Sequence, residues 1–394
     1  MKIAISGAGV AGPALAFWLH RVGHEPTLIE HAPRFRSGGY VIDFWGVGYD
    51  VADRMGLIGP IHSAGYDVKE VRLVNARGNR TGGFSVDIFR HLTRGRYTSL
   101  ARGDLAKVIY DCVRDKVEAL FGDTVASIKD TGSDVVVGLA SGASRRFDLI
   151  VGADGLHSEV RRLVWGEHRL FERALGYHVA AFEVTGYPHR DPDVYVSYAE
   201  PGLSISRFAM RDDRSLFLLV FADERLVGPA PHDDAGRRAA LRSVFGRCGW
   251  ETPEILRALD RAQEVYFDQV SQIEVPDWSR GRAVLVGDAA ACPSLLAGEG
   301  TGLALTEAYV LAGELQRAAG DVGQAFRGYE DRLRGFVAGK QKSARQFASS
   351  FAPRTAFGIW LRNVATKLMV IPPIADRLLG DSVKDDFVLP DYKF

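Results

Sequence analysis

Lys2-Ile3-Ala4-Ile5-Ser6 runs straight into Gly7-Ala8-Gly9-Val10-Ala11-Gly12 and then Pro13. The first five residues alternate little and are mostly apolar, which predicts a parallel strand covered on both faces. Residues 13–22 read as a helix that Gly23 ends. Pro13 falls near its first turn, where a missing N–H costs nothing. Residues 26–30 read as a second strand closing on Glu30. Gly7 permits the tight turn, Gly9 lets the backbone approach a pyrophosphate, and Gly12 lets helix and strand pack closely. Ala11 lies in the same turn, where the helix start offers unpaired N–H groups to an anion. Glu30 is placed to accept hydrogen bonds from an adenosine ribose. It disfavours a 2′-phosphate, so the ligand is FAD or NAD rather than NADP. A lone G-x-G-x-x-G reads equally well as a glycine-rich turn; the ordered strand, glycines, helix, strand and acid carry the assignment.

The 394 residues are 46% hydrophobic and 25% charged, as in ordinary globular proteins. The length implies two linked domains. Lys+Arg and Asp+Glu both number 49, for a net charge of +0. That balance argues against a nucleic-acid partner and gives no attraction to an anionic membrane. Cys112, Cys248 and Cys292 are scattered without C-x-x-C spacing. A disulfide scaffold and a Cys-rich zinc site are excluded, no metal is expected, and a reducing cytoplasm is the natural setting. The apolar run at residues 1–9 breaks at once into glycines, unlike a signal peptide. No stretch approaches the roughly 20 apolar residues of a membrane span. The nearest, 364–375, is interrupted by Lys367 and Pro372-Pro373.

Two more strand ends separate FAD from NAD. Residues 148–151 run into Gly152-Ala153-Asp154-Gly155-Leu156-His157-Ser158-Glu159-Val160-Arg161, and residues 282–286 run into Gly287-Asp288-Ala289-Ala290. Each presents Gly and Asp ahead of a helix, whose dipole can face the polar end of an extended ligand. Together with residues 7–12 and Arg102-Gly103-Asp104-Leu105, they resemble the aromatic-ring hydroxylases, flavoprotein monooxygenases of the p-hydroxybenzoate hydroxylase type. The resemblance implies an α/β fold: a Rossmann-like FAD-binding domain with an inserted antiparallel-sheet substrate domain and C-terminal helices.

By this resemblance Asp288, beside Gly287, holds the FAD ribityl chain, and Arg102 contacts the flavin and its pyrophosphate side. Asp154 and Gly155 serve both FAD and NAD(P)H. The loop Pro293-Ser294-Leu295-Leu296-Ala297-Gly298-Glu299-Gly300-Thr301-Gly302 lies beside the flavin ring, before a helix starting near Leu303. Pro293, Gly298, Gly300 and Thr301 are its expected cofactor contacts, and backbone N–H groups at the helix start stabilise the anionic reduced flavin. The family often has Asn where this chain has Gly302, so backbone contacts replace that side chain. The segment Arg36-Ser37-Gly38-Gly39 borders the isoalloxazine, with Arg36, Gly39 and Asp43 as further contacts. No catalytic acid or base is assigned.

The resemblance also divides the chain. Residues 1–72, 97–173 and 267–341 form the FAD-binding domain, 73–96 and 174–266 the substrate domain, and 342–394 a C-terminal helical segment. Strand-like runs at 177–184, 193–198, 203–210 and 215–221 are punctuated by Gly186-Tyr187-Pro188, Glu200-Pro201-Gly202 and Arg211-Asp212-Asp213. That is the grammar of hairpins in an antiparallel sheet. A helix is expected at 235–248. Tyr177, Phe182, Tyr195, Tyr198, Phe208, Phe217 and Phe221 are expected to face inward, mostly as plain core, while Arg207 and His178 are expected at the surface, with a polar role in the pocket as the alternative. Residues 326–351 and 356–379 have helical spacing, with a solvated basic face.

The resemblance implies that NAD(P)H reduces the FAD. With one evident G-x-G-x-x-G, NAD(P)H docks transiently near the FAD. O2 then adds as a flavin C4a-hydroperoxide, whose distal oxygen attacks an electron-rich aromatic or enol carbon. Gly249-Trp250-Glu251-Thr252, Tyr266-Phe267-Asp268 and Ala308-Tyr309-Val310-Leu311-Ala312-Gly313-Glu314-Leu315 look most like the tetracycline-inactivating and polyketide-tailoring members. An aromatic or polyketide small molecule is the implied substrate. A flavin-dependent halogenase is disfavoured, because the tryptophans are isolated rather than set in W-x-W-x-I-P. A flavin reductase and a non-catalytic flavin-binding protein stay open as readings of the same cofactor motifs. Monomer and homodimer are not distinguished.

Overall fold

The structure, a computed structural model, describes residues 1–35, 40–369, 373–375 and 385–394. The apolar run at the chain start forms the strand Lys2–Ser6, parallel to Glu25–Glu30 on one side and Leu149–Gly152 on the other. Glu118–Phe121 and Ala283–Leu285 extend this parallel sheet outward. Ile3, Ile5, Ile150, Val151 and Val284 are completely buried, each burial stabilising by about 1.5–3 kcal/mol. The helices Ala11–Arg21 and Gly300–Arg317 meet in this core, where Trp18 and Tyr309 pack edge to face at 5.1 Å. Ser6, Glu30, Gly152 and Leu285 all end their strands at one edge, where ligands bind in such sheets.

Among the described residues a second sheet has seven strands, in the order Tyr266–Ile273, Glu172–Thr185, Arg214–Ala222, Leu203–Ala209, Val194–Glu200, Glu70–Val74 and Arg80–Ser85. Neighbours are antiparallel except Val194–Glu200 and Glu70–Val74, which run parallel. Glu70–Val74 pairs along its whole length in this sheet, so it crosses the boundary expected at residue 72. The helices Asp234–Phe245 and Thr252–Leu259 cover one face, with Phe182, Phe217, Phe221, Leu241, Phe245 and Ile255 between. The opposite face presents Tyr195 and Phe208 to a two-stranded ribbon, Val41–Trp45 with Tyr97–Ala101.

Arg207 and His178 are buried, contrary to expectation. Arg207 lies on the helix-covered face, 2.8 Å from Asp191 and 2.9 Å from Glu251, and these carboxylates offset its desolvation. His178 stacks on Phe221 at 5.4 Å.

The C-terminal region differs from a separate helical segment. The helix Val322–Phe351 runs unbroken past residue 342, and Ala356–Leu368 follows. Of the helical run expected to 379, residues 370–372 and 376–379 lie outside the described residues. Residues 385–394 are not helical and return to the first core. Phe394 packs on Trp18 at 4.6 Å, and the Tyr392 hydroxyl donates to Glu314 at 2.5 Å. Gly313 is required there, since a Cβ would lie 2.2 Å from the Tyr392 ring. No helix among the described residues is long and apolar enough to cross a membrane.

Candidate cofactor and substrate site

The glycine turn is dictated by close packing. Gly7 has φ +103°, and a Cβ there would sit 2.4 Å from the Ala153 carbonyl oxygen. A Cβ on Gly12 would sit 2.0 Å from the Gly7 oxygen, whereas one on Gly9 would meet nothing within 4 Å. The open space at Gly9 is a groove before the Ala11–Arg21 helix, which has no side-chain cap and no acid in its first turn. Its N–H groups are therefore available to an anion. Glu30 braces the turn by accepting from the Ala8 and Ala32 N–H groups, each at 2.8 Å. A carboxylate has about four lone-pair sites, so about two remain for a ribose.

Across the strand edge, Asp288 opens a short helix after the positive-φ Gly287. A Cβ on Gly300 would lie 3.3 Å from its Oδ1, so the start of the Gly300–Arg317 helix adjoins this carboxylate. Arg102 opens the Arg102–Asp111 helix, and its N–H donates to the Tyr40 carbonyl at 3.1 Å. Its guanidinium keeps accessible surface although it lies deep among Tyr40, Asp288, Tyr266 and Cys292, so it faces an interior cleft. It makes no side-chain hydrogen bond among the described residues. An unpaired interior cation, an uncapped helix start and a neighbouring carboxylate fit a diphosphate joined to a hydroxyl-bearing chain, as in FAD.

Asp154 is engaged by the protein itself. Its Oδ2 accepts from Ser6 Oγ at 3.1 Å and from the N–H groups of Glu159 at 3.0 Å and Val160 at 3.1 Å. Its Oδ1 accepts from Ser158 Oγ at 2.5 Å. The carboxylate helps cap the Glu159–Val164 helix and ties it to the first strand, and the residue keeps accessible surface. Gly155, at φ +79°, turns the chain into this helix beside open space. Arg161, to which the sequence assigned no role, is completely buried. It donates to the carbonyls of Ala289 at 2.9 Å and Leu156 at 2.6 Å, joining this motif to the Asp288 helix.

The Gly300–Arg317 helix begins three residues before Leu303, placing Gly300, Thr301 and Gly302 in its first turn. Gly298 is left-handed at φ +70°, and the Pro293 carbonyl accepts from Gln272 at 2.5 Å. A Cβ on Gly48 would lie 2.3 Å from the Gly302 Cα, so the Gly46–Arg54 helix crosses this turn at a glycine. The cleft between them is lined by Asp43, Trp45, Gly298, Glu299 and Lys340 among others. Lys340 lies 2.9 Å from Glu299 and 2.6 Å from Asp385, and Asp385 accepts the Val47 N–H at 2.6 Å. Asp43 Oδ1 accepts from the Tyr97 hydroxyl at 2.5 Å and Ser99 Oγ at 2.6 Å. Burial pushes the Asp43 carboxyl above the usual range, against those two donors. Its Oδ2 has no hydrogen-bond partner among the described residues. Arg36 and Gly39 lie outside the described residues.

The seven-stranded sheet supplies a floor. Strand register aligns Leu73, Ser197, Ser206, Leu218, Ala181 and Tyr266 in one row across it. The next row is Val71, Tyr195, Phe208, Leu216 and Glu183. Tyr195, Ser197, Ser206 and Leu218 keep accessible surface in mid-sheet. Ser206 Oγ donates to Ser197 Oγ at 3.0 Å, and Tyr195 stacks on Phe208 at 4.5 Å. Neither row contains Lys or Arg.

Residues 1–327 match the family described as FAD binding domain. Over 408 residues the chain is 32% identical to a flavin-dependent monooxygenase from an unknown prokaryotic organism, covering 100% of this chain and 99% of the relative. The chain belongs to the FAD-dependent monooxygenases. This monooxygenase is also 31% identical to a flavin-dependent monooxygenase of Legionella longbeachae, covering 100% of this chain and 98% of that one. Its fold is similar to the crystal structure of tetracycline destructase Tet(51), with a TM-score of 0.85, 31% identity and 99% coverage of each chain.

Proposed function

We propose that this monooxygenase consumes NAD(P)H and O2 to hydroxylate a planar aromatic or enolic substrate of polyketide type. The observation that carries the substrate reading is the floor row, in which the Ser197–Ser206 hydroxyl pair is flanked by Leu218, Tyr195 and Phe208. Apolar walls with a few placed hydroxyls suit a ring system bearing phenol or enol oxygens. The absence of Lys and Arg from both rows argues against an anionic ring face. The likeness to tetracycline destructase Tet(51) supports the same substrate class.

FAD would be held by the turn at Gly7, Gly9, Ala11 and Gly12, by Glu30, by Arg102 and by Asp288. When bound, it supplies the redox chemistry that activates O2. The protein's own contribution is placement and charge. Helix-start N–H groups at Gly300, Thr301 and Gly302 stabilise negative charge on the cofactor, and the covered cleft keeps water from the reacting carbon. Gly155, turned out beside open space, belongs to the surface where NAD(P)H docks.

The test is NAD(P)H oxidation by FAD-loaded protein with chlortetracycline and a hydroxyanthraquinone as probes, under isotopically labelled O2. One labelled oxygen atom in the organic product is expected. NAD(P)H oxidation that yields hydrogen peroxide alone with every planar polyphenol overturns the proposal.

A further inference from the structure

Glu307 lies in the Gly300–Arg317 helix and is completely buried. Its Oε2 accepts the N–H of Gly287, the residue that sets the turn into Asp288. The Tyr329 hydroxyl, from the Val322–Phe351 helix, lies 3.3 Å from the same oxygen and 3.1 Å from the Leu285 carbonyl. Glu307 Oε1 is buried without a hydrogen-bond partner among the described residues. No Lys or Arg pairs with this carboxyl among the described residues. The charged groups packed around it do not neutralise it. Asp288 is acidic. Glu330, beside Tyr329, is paired with Arg334; Arg102 and Arg161 both act on Asp288 rather than on Glu307, and Arg161 donates to backbone carbonyls.

A carboxylate buried beside another carboxylate, with one oxygen lacking any donor, is strongly disfavoured. A carboxylic acid fits instead. With its proton on Oε2, Glu307 donates to the Tyr329 oxygen, Tyr329 donates to the Leu285 carbonyl, and Oε2 still accepts from Gly287. Burial pushes this carboxyl up, against the Gly287 N–H and with Asp288 adding to the rise, to about 8.

We propose that Glu307 is a positioning residue of the cofactor site. As a neutral acid it pins the Gly287 turn so that Asp288 presents its carboxylate to FAD hydroxyls, and ionisation of Glu307 loosens that hold. This rests on the placement of FAD at Asp288 made above. The consequence is an alkaline limit on cofactor retention that comes from the protein.

The experiment measures FAD affinity of the apoprotein by flavin fluorescence quenching between about pH 6.5 and about pH 9.5. Wild-type affinity should hold to near neutrality and then fall roughly tenfold, the effect of a one-unit pKa difference between FAD-bound and FAD-free protein. Glu307→Gln keeps an acceptor for Gly287 but cannot ionise, so whatever its affinity near pH 7, it should lose no more at high pH. When Glu307 ionises, the Tyr329 hydroxyl turns to donate to the carboxylate, a charge-assisted bond stronger than the neutral one it accepts from the acid, so Tyr329→Phe should move the midpoint of the alkaline loss to higher pH. A pH-independent wild type, a Glu307→Gln variant with the same alkaline loss, or an unmoved midpoint in Tyr329→Phe overturns the inference. Asp288→Asn tests the underlying placement separately. Unchanged FAD affinity in that variant removes Asp288 from the site, and the inference with it.

Discussion

Lys340→Met removes the cation shared by Glu299 of the flavin-side loop and Asp385 of the returning C-terminal stretch. The three side chains are only 11–13% exposed, so this is not a surface pair worth about 0–1 kcal/mol. Methionine keeps most of the apolar stem but leaves two buried carboxylates without their partner. Removing one member of a buried pair costs about 3–5 kcal/mol. Asp385 keeps the Val47 N–H at the start of the Gly46–Arg54 helix, so the lower end, about 3 kcal/mol, is expected. At about 2 °C per kcal/mol for a chain of this length, the melting temperature should fall by about 6 °C. The loss should also depend on pH. Burial already holds the Glu299 carboxyl above its ordinary value, against the pull of Lys340. Without Lys340 it rises further. A carboxyl whose folded pKa is raised destabilises the fold at high pH, and the penalty fades as protonation sets in. The gap from wild type should therefore be wide near pH 7.5 and narrow near pH 5.5, and Glu299→Gln added to Lys340→Met should recover part of it. Thermal unfolding of the apoproteins followed by tryptophan fluorescence measures all three. A fall below about 1 °C at pH 7.5, or the same fall at both pH values, refutes the reasoning.

Gly12→Ala should destabilise by about 1–3 kcal/mol and weaken FAD binding, because its Cβ would press on the Gly7 oxygen at 2.0 Å. Gly9→Ala, with open space at 4 Å, should melt like wild type yet bind FAD more weakly; equal FAD titrations for both variants and wild type would count against the groove. Arg207→Met strands Asp191 and Glu251 and should cost about 3 kcal/mol in urea unfolding near neutrality. Arg207 and Arg72 outweigh burial and hold the Asp191 carboxyl below its usual range, so its contribution is present above the unfolded pKa and is lost as pH falls through the folded one. The Arg207→Met deficit should shrink in acid, and a deficit that grows there is the contrary result. Burial pushes the thiols of Cys112 to about 11 and Cys248 to about 12, and holds that of Cys292 well above the usual thiol range. The native protein should resist a thiol-colouring disulfide reagent near pH 8 and react fully once denatured; rapid native labelling refutes this.

The nucleotide-binding half is legible in the sequence because its residues answer steric demands that few residue types meet. Gly7 and Gly12 have no room for a Cβ, and Glu30 follows a strand of fixed length. Asp154 reads two ways because a ligand and a helix start ask for the same residue type at the same place. Arg207 and His178 defy expectation because alternation names two faces without saying which one helices will cover. The partner Glu251 arrives from a distant segment that the strand pattern does not announce. That the hairpin Glu70–Val74 with Arg80–Ser85 joins this sheet escapes for a related reason, since its pairing with Val194–Glu200 is parallel and no turn links the two. Asp43 stands out in the sequence, but its hydroxyl donors Tyr97 and Ser99 come from a strand more than 50 residues away, and only the register reveals them.

Residues 385–394 have a consequence for the order in which the molecule is built. The glycine turn can form early, because its contacts are local, but Trp18 and Tyr309 stay wet until Tyr392 and Phe394 dock on them. Closing so long a loop adds little to the equilibrium penalty, since that entropy grows only logarithmically with length. The burden falls on time instead. A nascent chain halted before residue 385 leaves aromatic surface bare and Lys340 with Glu299 alone. The first segment made is thus among the last to be sealed, and until then the half-built core is open to aggregation.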